Sequence, residues 1–503
     1  MEKFKKSLIL IIILCIFLTA AFTACSSPKE IGGVAATAET DLEETGDTET
    51  DRLFIKDSLP VGLNFNGTEY RIFSSDGEDY KNKYIQGLEE ITGDIVFDTV
   101  IERNQIVEER LNIAFKYFVF PLTLDKVAGA VRQTVMSGED AYDLIVAGQF
   151  GTCQIVSEGL FVNIKDGKYF DFDQPWWNVN YMNEISIGKD KSFFMAGDYF
   201  IDTLRLTRLL YFNKSLWDDY FGSSVGNSTE LYRMVLDGKW TFDAMTGFVK
   251  QVYRDLNGNS THDKEDMYGY TTYWTGSSVD AFAFATDIEF TKRDTNGLIS
   301  LTINNEKSVK FTEMLNNFFW CEGSFVFPIS DPGNVNHFKS GISLFLGNAT
   351  FYDADALREM ELDYGALPNP KYDEAQKNYS SLVHDTANYG MIPITSDKLE
   401  MTSAVVEALC AESYRRLMPA YFETALKVKY VRDDISSEMI DLIHDSLRTN
   451  FIFAYYVSLN NVGSIFRTLV TNKSNDFVSE YSKIEKGALT GLEKLQSVFL
   501  DNN

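Results

Sequence analysis

The run Tyr142-Asp143-Leu144-Ile145-Val146-Ala147 limits what this chain can fold into more than any other stretch. Consecutive apolar residues without polar alternation suit a strand buried on both faces, and such strands belong to parallel sheets covered by helices. The residues before it fit that frame. Glu69 to Phe73 reads as a strand closed by the turn-rich Ser74-Ser75-Asp76-Gly77. From Thr99 to Leu111 the apolar residues Val100, Ile101, Ile106, Val107 and Leu111 keep helical spacing. Ile113 to Val119 reads as a second strand, and Leu124 to Met136 as a second amphipathic helix ending at Ser137-Gly138. Strand, helix, strand, helix, strand predicts a parallel, doubly wound α/β lobe. Ligands of such lobes sit beyond the carboxyl ends of the strands, where Ser75, Asp76, Gln149 and Phe150 fall.

Further along, Phe170 to Asn180 is rich in aromatics and amides. A strand pair is predicted over Phe193–Asp198 and Leu209–Asn213, and helical patterns dominate from Leu399 to Tyr430 and from Ser437 onward. No internal repeat is evident.

The N-terminal segment sets the compartment. Lys3, Lys5 and Lys6 precede an apolar run from Leu8 to Leu18, and Phe22-Thr23-Ala24-Cys25-Ser26-Ser27 follows. A basic start, a short apolar run and small residues form an export signal over 1–24, because the run is short for a membrane span. The stretch around Cys25 resembles a bacterial lipobox, which implies a lipid on Cys25, although Phe22 stands where an aliphatic residue is usual. Ser26 to Asp51 holds few large apolar residues, so 25–57 is expected to be a flexible acidic tether.

The chain has 503 residues, 45% of them hydrophobic, and a formal charge of −27. Roughly 450 residues follow the tether, enough for two or more domains. A nucleic-acid binder needs a basic face, and no Lys/Arg cluster appears, so nucleic acid is set aside. Beyond the tether the cysteines are Cys153, Cys321 and Cys410, with neither metal spacing nor a disulfide framework. The four histidines, His262, His337, His384 and His444, form no HExxH pair.

Several motifs, in order, carry a resemblance. Tyr142 to Phe150 followed by Gly159-Leu160-Phe161-Val162-Asn163-Ile164 resembles the strand, loop and gate-helix stretch of the extracellular solute-binding proteins of ABC importers, the maltose-binding type in particular. Tyr211-Phe212-Asn213-Lys214-Ser215-Leu216 looks like that family's YNK-x-L element. Trp240 to Met245 is similar to its TW-x-E helix start without the proline, and Ile342 to Asn348 with Tyr364-Gly365-Ala366-Leu367-Pro368 to its A-M-x-x-x-G and YG-x-x-x-LP pair. The resemblance implies an α/β, two-lobe periplasmic-binding-protein-like (class II) fold with crossing hinge segments and a ligand cleft between the lobes. Lobe 1 would hold 58–166 plus 380–430, and lobe 2 167–379 plus 431–503. It also implies capture by hinge closure, ABC permease subunits as partners, and a monomer anchored on the outer face of the membrane.

Local chemistry adds three expectations. In Asp255-Leu-Asn257-Gly-Asn259-Ser-Thr261-His-Asp263-Lys-Glu265-Asp266, oxygen-bearing residues stand at positions 1, 3, 5, 7, 9 and 12, the spacing of an EF-hand loop. Asp255, Asn257, Asn259, Asp263 and Asp266, with the Thr261 carbonyl, are the expected ligands of a structural Ca2+. Ser260 replaces the turn glycine, and Asp266 the bidentate glutamate. Second, the loop tryptophans Trp176 and Trp177 either stack on sugar faces or plug the space between lobes. Tyr273, Trp274, Phe351 and Tyr352 carry the same reading. Third, Asp76, Gln149, Asp198 and Asp353 are polar cleft candidates able to hold sugar hydroxyls, or else helix caps and turns.

These features predict a receptor for a small polar ligand, a saccharide, and not an enzyme. An exported carbohydrate-active enzyme is the alternative, but no paired-carboxylate motif, G-x-S-x-G elbow or phosphate loop is recognisable. A ligand sensor for a membrane kinase would use the same fold.

Overall fold

The computed structural model describes residues 52–75, 81–122, 124–273, 276–358, 360–422 and 434–500. The leader, Cys25, most of the tether, Asp76 and Trp274 lie outside the described residues.

Two sheets organise the body. The first contains β1 (Thr68–Ser75), β2 (Ile113–Phe120), β3 (Leu144–Gly148) and β13 (Asn388–Met391), ordered β13-β3-β1-β2. β1 is parallel to both β2 and β3, with Ile72 opposite Leu144, while β13 runs antiparallel to β3. All five residues of β3 are buried, as the apolar run predicts. The crossover helices Ile95–Leu111 and Leu124–Met136 join these strands. Asp94 caps the first, its carboxylate accepting the Val96 N–H at 2.9 Å, and Asn112 in the left-handed region ends it.

The second sheet contains β4 (Arg208–Asn213), β5 (Tyr253–Arg254), β6 (Met267–Tyr273), β9 (Ser324–Phe327), β10 (Ser343–Thr350) and β11 (Tyr364–Leu367). Its order is β11-β4-β10-β6-β5, with β9 also on β6. β4 runs antiparallel to β10 and β11, whereas β6 is parallel to β10 and β9. A short hairpin, β7 (Thr291–Arg293) with β8 (Ile299–Leu301), and a two-residue ladder, β12 (Ser381–Leu382) with β14 (Leu447–Arg448), lie outside both sheets. Helix Leu399–Glu412 packs on the first lobe, and helix Phe477–Leu500 closes the chain.

Three expectations shift. Phe193–Asp198 forms no strand and does not pair with β4; it makes isolated bridges, Met195 with Gly390 and Trp177 with Gly197. Its neighbours Val162 and Ile164 bond to Ile392 and Ser192, so 160–200 packs on the edge of the first sheet. The chain therefore enters the second lobe after Phe200 and not at 167. Residues 52–57 are also tied to the body: Arg415 donates to the Ile55 carbonyl at 2.9 Å, and Asp57 accepts from Arg110 at 2.6 Å and Arg415 at 2.8 Å. Residues 52–57 of the expected tether therefore belong to the folded body. Among the described residues no helix is long and apolar enough to cross a membrane.

Candidate ligand cleft

The carboxyl ends of β3, β6 and β10 meet the start of β4 and the approach to β13 around a cavity of about 530 Å³. In an α/β fold this is where a ligand finds loops and unpaired backbone groups instead of a packed strand. Phe150 reaches it from the first lobe, and Tyr273 and Tyr352 from the second. His384, Asp385 and Thr386 line it just ahead of β13. The Asp385 carbonyl accepts the Phe150 N–H at 2.8 Å, which fixes the ring's backbone.

Arg208, first residue of β4, is 4% exposed. Its Nη1 donates to the Asn348 carbonyl at 2.8 Å, and no carboxylate among the described residues pairs with it. Burial lowers the tendency of this guanidinium to stay charged, which the nearby Asp353 opposes. The remaining N–H groups of the fork are directional donors for a ligand. Asn348 presents its carbonyl because β10 shifts register between Leu346 and Ala349, with Asn348 at φ 58. Bulges of this kind re-aim a strand beside a site.

Asp353 accepts from the Thr350 N–H at 2.7 Å and the Thr350 hydroxyl at 2.9 Å through one oxygen. Burial pushes its carboxyl up against the pull of these bonds and of Arg208. The second guanidinium, Arg467, is closed on Asp280, with Nε at 2.9 Å from both oxygens. The cleft thus offers one open donor fork, acceptor carboxylates, the amides of Asn334 and Asn348, and three aromatic rings. That set suits a neutral, hydroxyl-rich molecule: hydroxyls both donate and accept, and rings take C–H faces.

Of the sequence candidates, Phe150, Tyr273, Tyr352 and Asp353 line this cavity. Gln149 does not: it is buried, with Oε1 accepting from Tyr181 at 3.0 Å and Tyr389 at 2.9 Å. Phe351 is buried in the core. Trp176 and Trp177 are not stacking platforms either. Their Nε1 groups donate to the two oxygens of Glu407, at 2.9 and 3.0 Å, in a buried cluster. Burial pushes the Glu407 carboxyl up to about 7. Asp198 lies in the same region, where burial raises its carboxyl to about 8 against the pull of Arg52. Arg208, Arg467, Asn334 and His384 to Thr386 carry no local motif, and contacts between residues distant in sequence bring them together, as the Arg208–Asn348 bond does across 140 positions.

The loop 255–266 keeps its oxygens inward on its own backbone. Asp255 accepts the Gly258 N–H at 2.7 Å and the Ser260 N–H at 2.8 Å; the amide groups of Asn257 and Asn259 reach Asp263 at 3.2 and 2.7 Å. Asp266 is buried and accepts from Leu256. Ser260, at φ 57, takes the left-handed turn that glycine makes in such loops. The all-oxygen donor set fits calcium. As folded, no three His, Cys, Asp or Glu side chains gather to hold a metal among the described residues.

No protein-family model matches the chain, and no curated protein matches it. Solved structures do. The galacto-N-biose-/lacto-N-biose I-binding protein of the ABC transporter from Bifidobacterium longum, in complex with lacto-N-biose, aligns at TM-score 0.56 and 11% identity, over 86% of this chain and 98% of that one. UgpB from Mycobacterium tuberculosis, in complex with glycerophosphocholine, aligns at 0.53 and 12%, over 86% and 99%. This likeness shows that the chain shares the two-lobe α/β fold of those structures.

Proposed function

We propose that this chain is an exported solute-binding protein that captures a small saccharide in the interlobe cavity and passes it, chemically unchanged, to an ABC importer. One observation carries the reading: Phe150, Tyr273 and Tyr352 converge with Arg208 and Asp353 at the carboxyl ends of both sheets, in a space of about 530 Å³. That volume suits a ligand of a few sugar rings and not a polymer. The solved structures of this fold add support, since one belongs to an ABC transporter and holds lacto-N-biose. Arg208 and Asp353 would share ligand hydroxyls, Arg208 donating and Asp353 accepting. The lipobox-like stretch at Cys25 places the body on the outer face of the membrane through a lipid, and the tether lets it reach a permease.

The 255–266 loop is proposed to take a structural calcium ion through Asp255, Asn257, Asn259, Asp263, Asp266 and the Thr261 carbonyl. The spacing of the oxygen ligands and the left-handed Ser260 support this.

A thermal-shift screen of neutral mono-, di- and trisaccharides tests the receptor reading, with mass spectrometry of the recovered sugar. A saturable rise in Tm with the sugar recovered intact is expected. Hydrolysis of the bound sugar would instead indicate an enzyme.

A further inference from the structure

Beside the main cleft lies a side pocket of about 20 Å³, room for one water-sized group. It shares Arg208, His384, Asp385 and Arg467 with the cleft, so the two spaces adjoin. Its remaining walls are Leu382, Val383 and Phe453, all buried, and the buried carboxylate of Asp280. The lining is therefore half apolar and half charged.

Each wall is held by its own contacts. The Ser381 N–H donates to the Ser446 carbonyl at 2.9 Å and the Val383 N–H to the Arg448 carbonyl at 3.1 Å, while the His384 N–H donates to the Leu206 carbonyl at 2.9 Å. The Phe453 ring meets Phe290 edge-on at 5.0 Å. Arg467 is closed on Asp280, and its guanidinium carbon lies 5.6 Å from the centre of the Tyr456 ring. Gly276 permits that approach, since a side chain there would collide with the Cδ of Arg467. Close-packed walls of this kind discriminate by single carbon atoms.

We propose that this side pocket takes the hydroxymethyl group on C5 of an aldohexopyranose, so that the receptor selects hexose units with a free 6-hydroxyl. The inference rests on the saccharide reading and sharpens it. Only an exocyclic arm can enter: ring hydroxyls stay close to their ring, and the ring is too large for a space of about 20 Å³. The methylene meets Leu382, Val383 and Phe453, and the hydroxyl finds both kinds of partner. The Arg208 fork has N–H groups beyond the one bound to Asn348, and the Asp280 carboxylate offers about four acceptor positions, more than the edge of Arg467 fills. Arg208 and Arg467 balance Asp280 and Asp385, so the pocket calls for no charge on the ligand. A pentose has only hydrogen at this place and a 6-deoxyhexose only a methyl group, and neither satisfies the polar half of the lining. A uronate would bring its carboxylate against two acids.

Isothermal titration of the full chain against sugars that differ only at C5 tests it. One series is D-glucose, 6-deoxy-D-glucose, D-xylose and D-glucuronate; the other is D-galactose, D-fucose, L-arabinose and D-galacturonate; cellobiose is set against xylobiose. The member bearing the hydroxymethyl group should bind about 10- to 100-fold more tightly than its counterparts, the worth of a hydroxyl contact made with charged groups. Val383→Ile, which adds one carbon to the pocket wall, should reduce that preference by about 10-fold. Equal or tighter binding of the pentose, 6-deoxy or uronate member overturns the subsite and leaves the saccharide reading standing. Silence across all these sugars also overturns the subsite, and the trisaccharides of the wider screen then decide the saccharide reading. An unchanged preference in folded Val383→Ile overturns the assignment to this pocket. Should that variant fail to fold by circular dichroism, the preference of the intact chain still decides.

Discussion

Nη1 of Arg208 donates to the carbonyl of Asn348 across 2.8 Å, joining the first residue of one cleft strand to the bulge of its neighbour. The bond orients a buried guanidinium so that the rest of its fork faces the cavity. Arg208→Ala should therefore weaken saccharide binding by roughly 10- to 100-fold, the worth of a desolvated charged hydrogen bond. Isothermal titration against the best sugar of the screen measures this; unchanged Kd would remove Arg208 from the site.

The rings supply the apolar share. Tyr273→Ala should raise Kd by about 3- to 10-fold, in line with ~0.5–1.5 kcal/mol for an aromatic contact beyond its area. Circular dichroism should show an unchanged fold, since Tyr273 is only half-buried at the end of β6. Retained affinity would place the sugar elsewhere.

Trp176 behaves differently because it serves packing. Trp176→Phe removes the bond to Glu407 and leaves a buried carboxylate short of one donor, at a cost of about 1–3 kcal/mol. A lower Tm with unaltered sugar affinity is expected. A selective loss of affinity would restore Trp176 to the cleft.

The same cluster sets a pH dependence. Burial raises the Glu407 carboxyl from 4.5 to about 7 and that of Asp198 from 3.8 to about 8. A carboxyl raised on folding keeps its proton in the folded state after the unfolded chain has released it. Its contribution to stability is full below the unfolded value and is lost as pH rises through the folded one. Tm should fall between about pH 5 and pH 8, and Glu407→Gln should flatten that fall. Calorimetry across the range checks it; an identical slope in the variant would assign the dependence to other groups.

Removal of calcium is the test for the 255–266 loop. EDTA should lower Tm and added calcium restore it, while magnesium, which dehydrates reluctantly and wants a tighter octahedral site, should not. An indifferent Tm would mean the loop stands on its internal hydrogen bonds.

The comparison of sequence with structure follows the reach of each signal. Leu124–Met136 has the same bounds in both, and β3 overlaps the predicted apolar run over Leu144–Ala147, because periodicity and burial act over neighbouring residues. Phe193–Asp198 looked equally strand-like but meets its partners only at isolated bridges. Gly197 admits the Trp176 carbonyl so closely that a Cβ would sit 2.8 Å from it, and a regular ladder gives way to a backbone contact. The loop tryptophans could not be sorted from sequence, since the residue that binds them, Glu407, lies 231 and 230 positions away. Arg208 and Arg467 were invisible for the same reason. Tyr352 and Asp353 were legible because a strand end and its turn are local.

A ligand-bound crystal structure tests the central claim most directly. With the highest-affinity neutral sugar of the screen, density for one intact molecule is predicted between Phe150, Tyr273 and Tyr352, with hydroxyls bonded to Arg208 and Asp353. Sugar bound outside that cavity, or found cleaved within it, would contradict the claim.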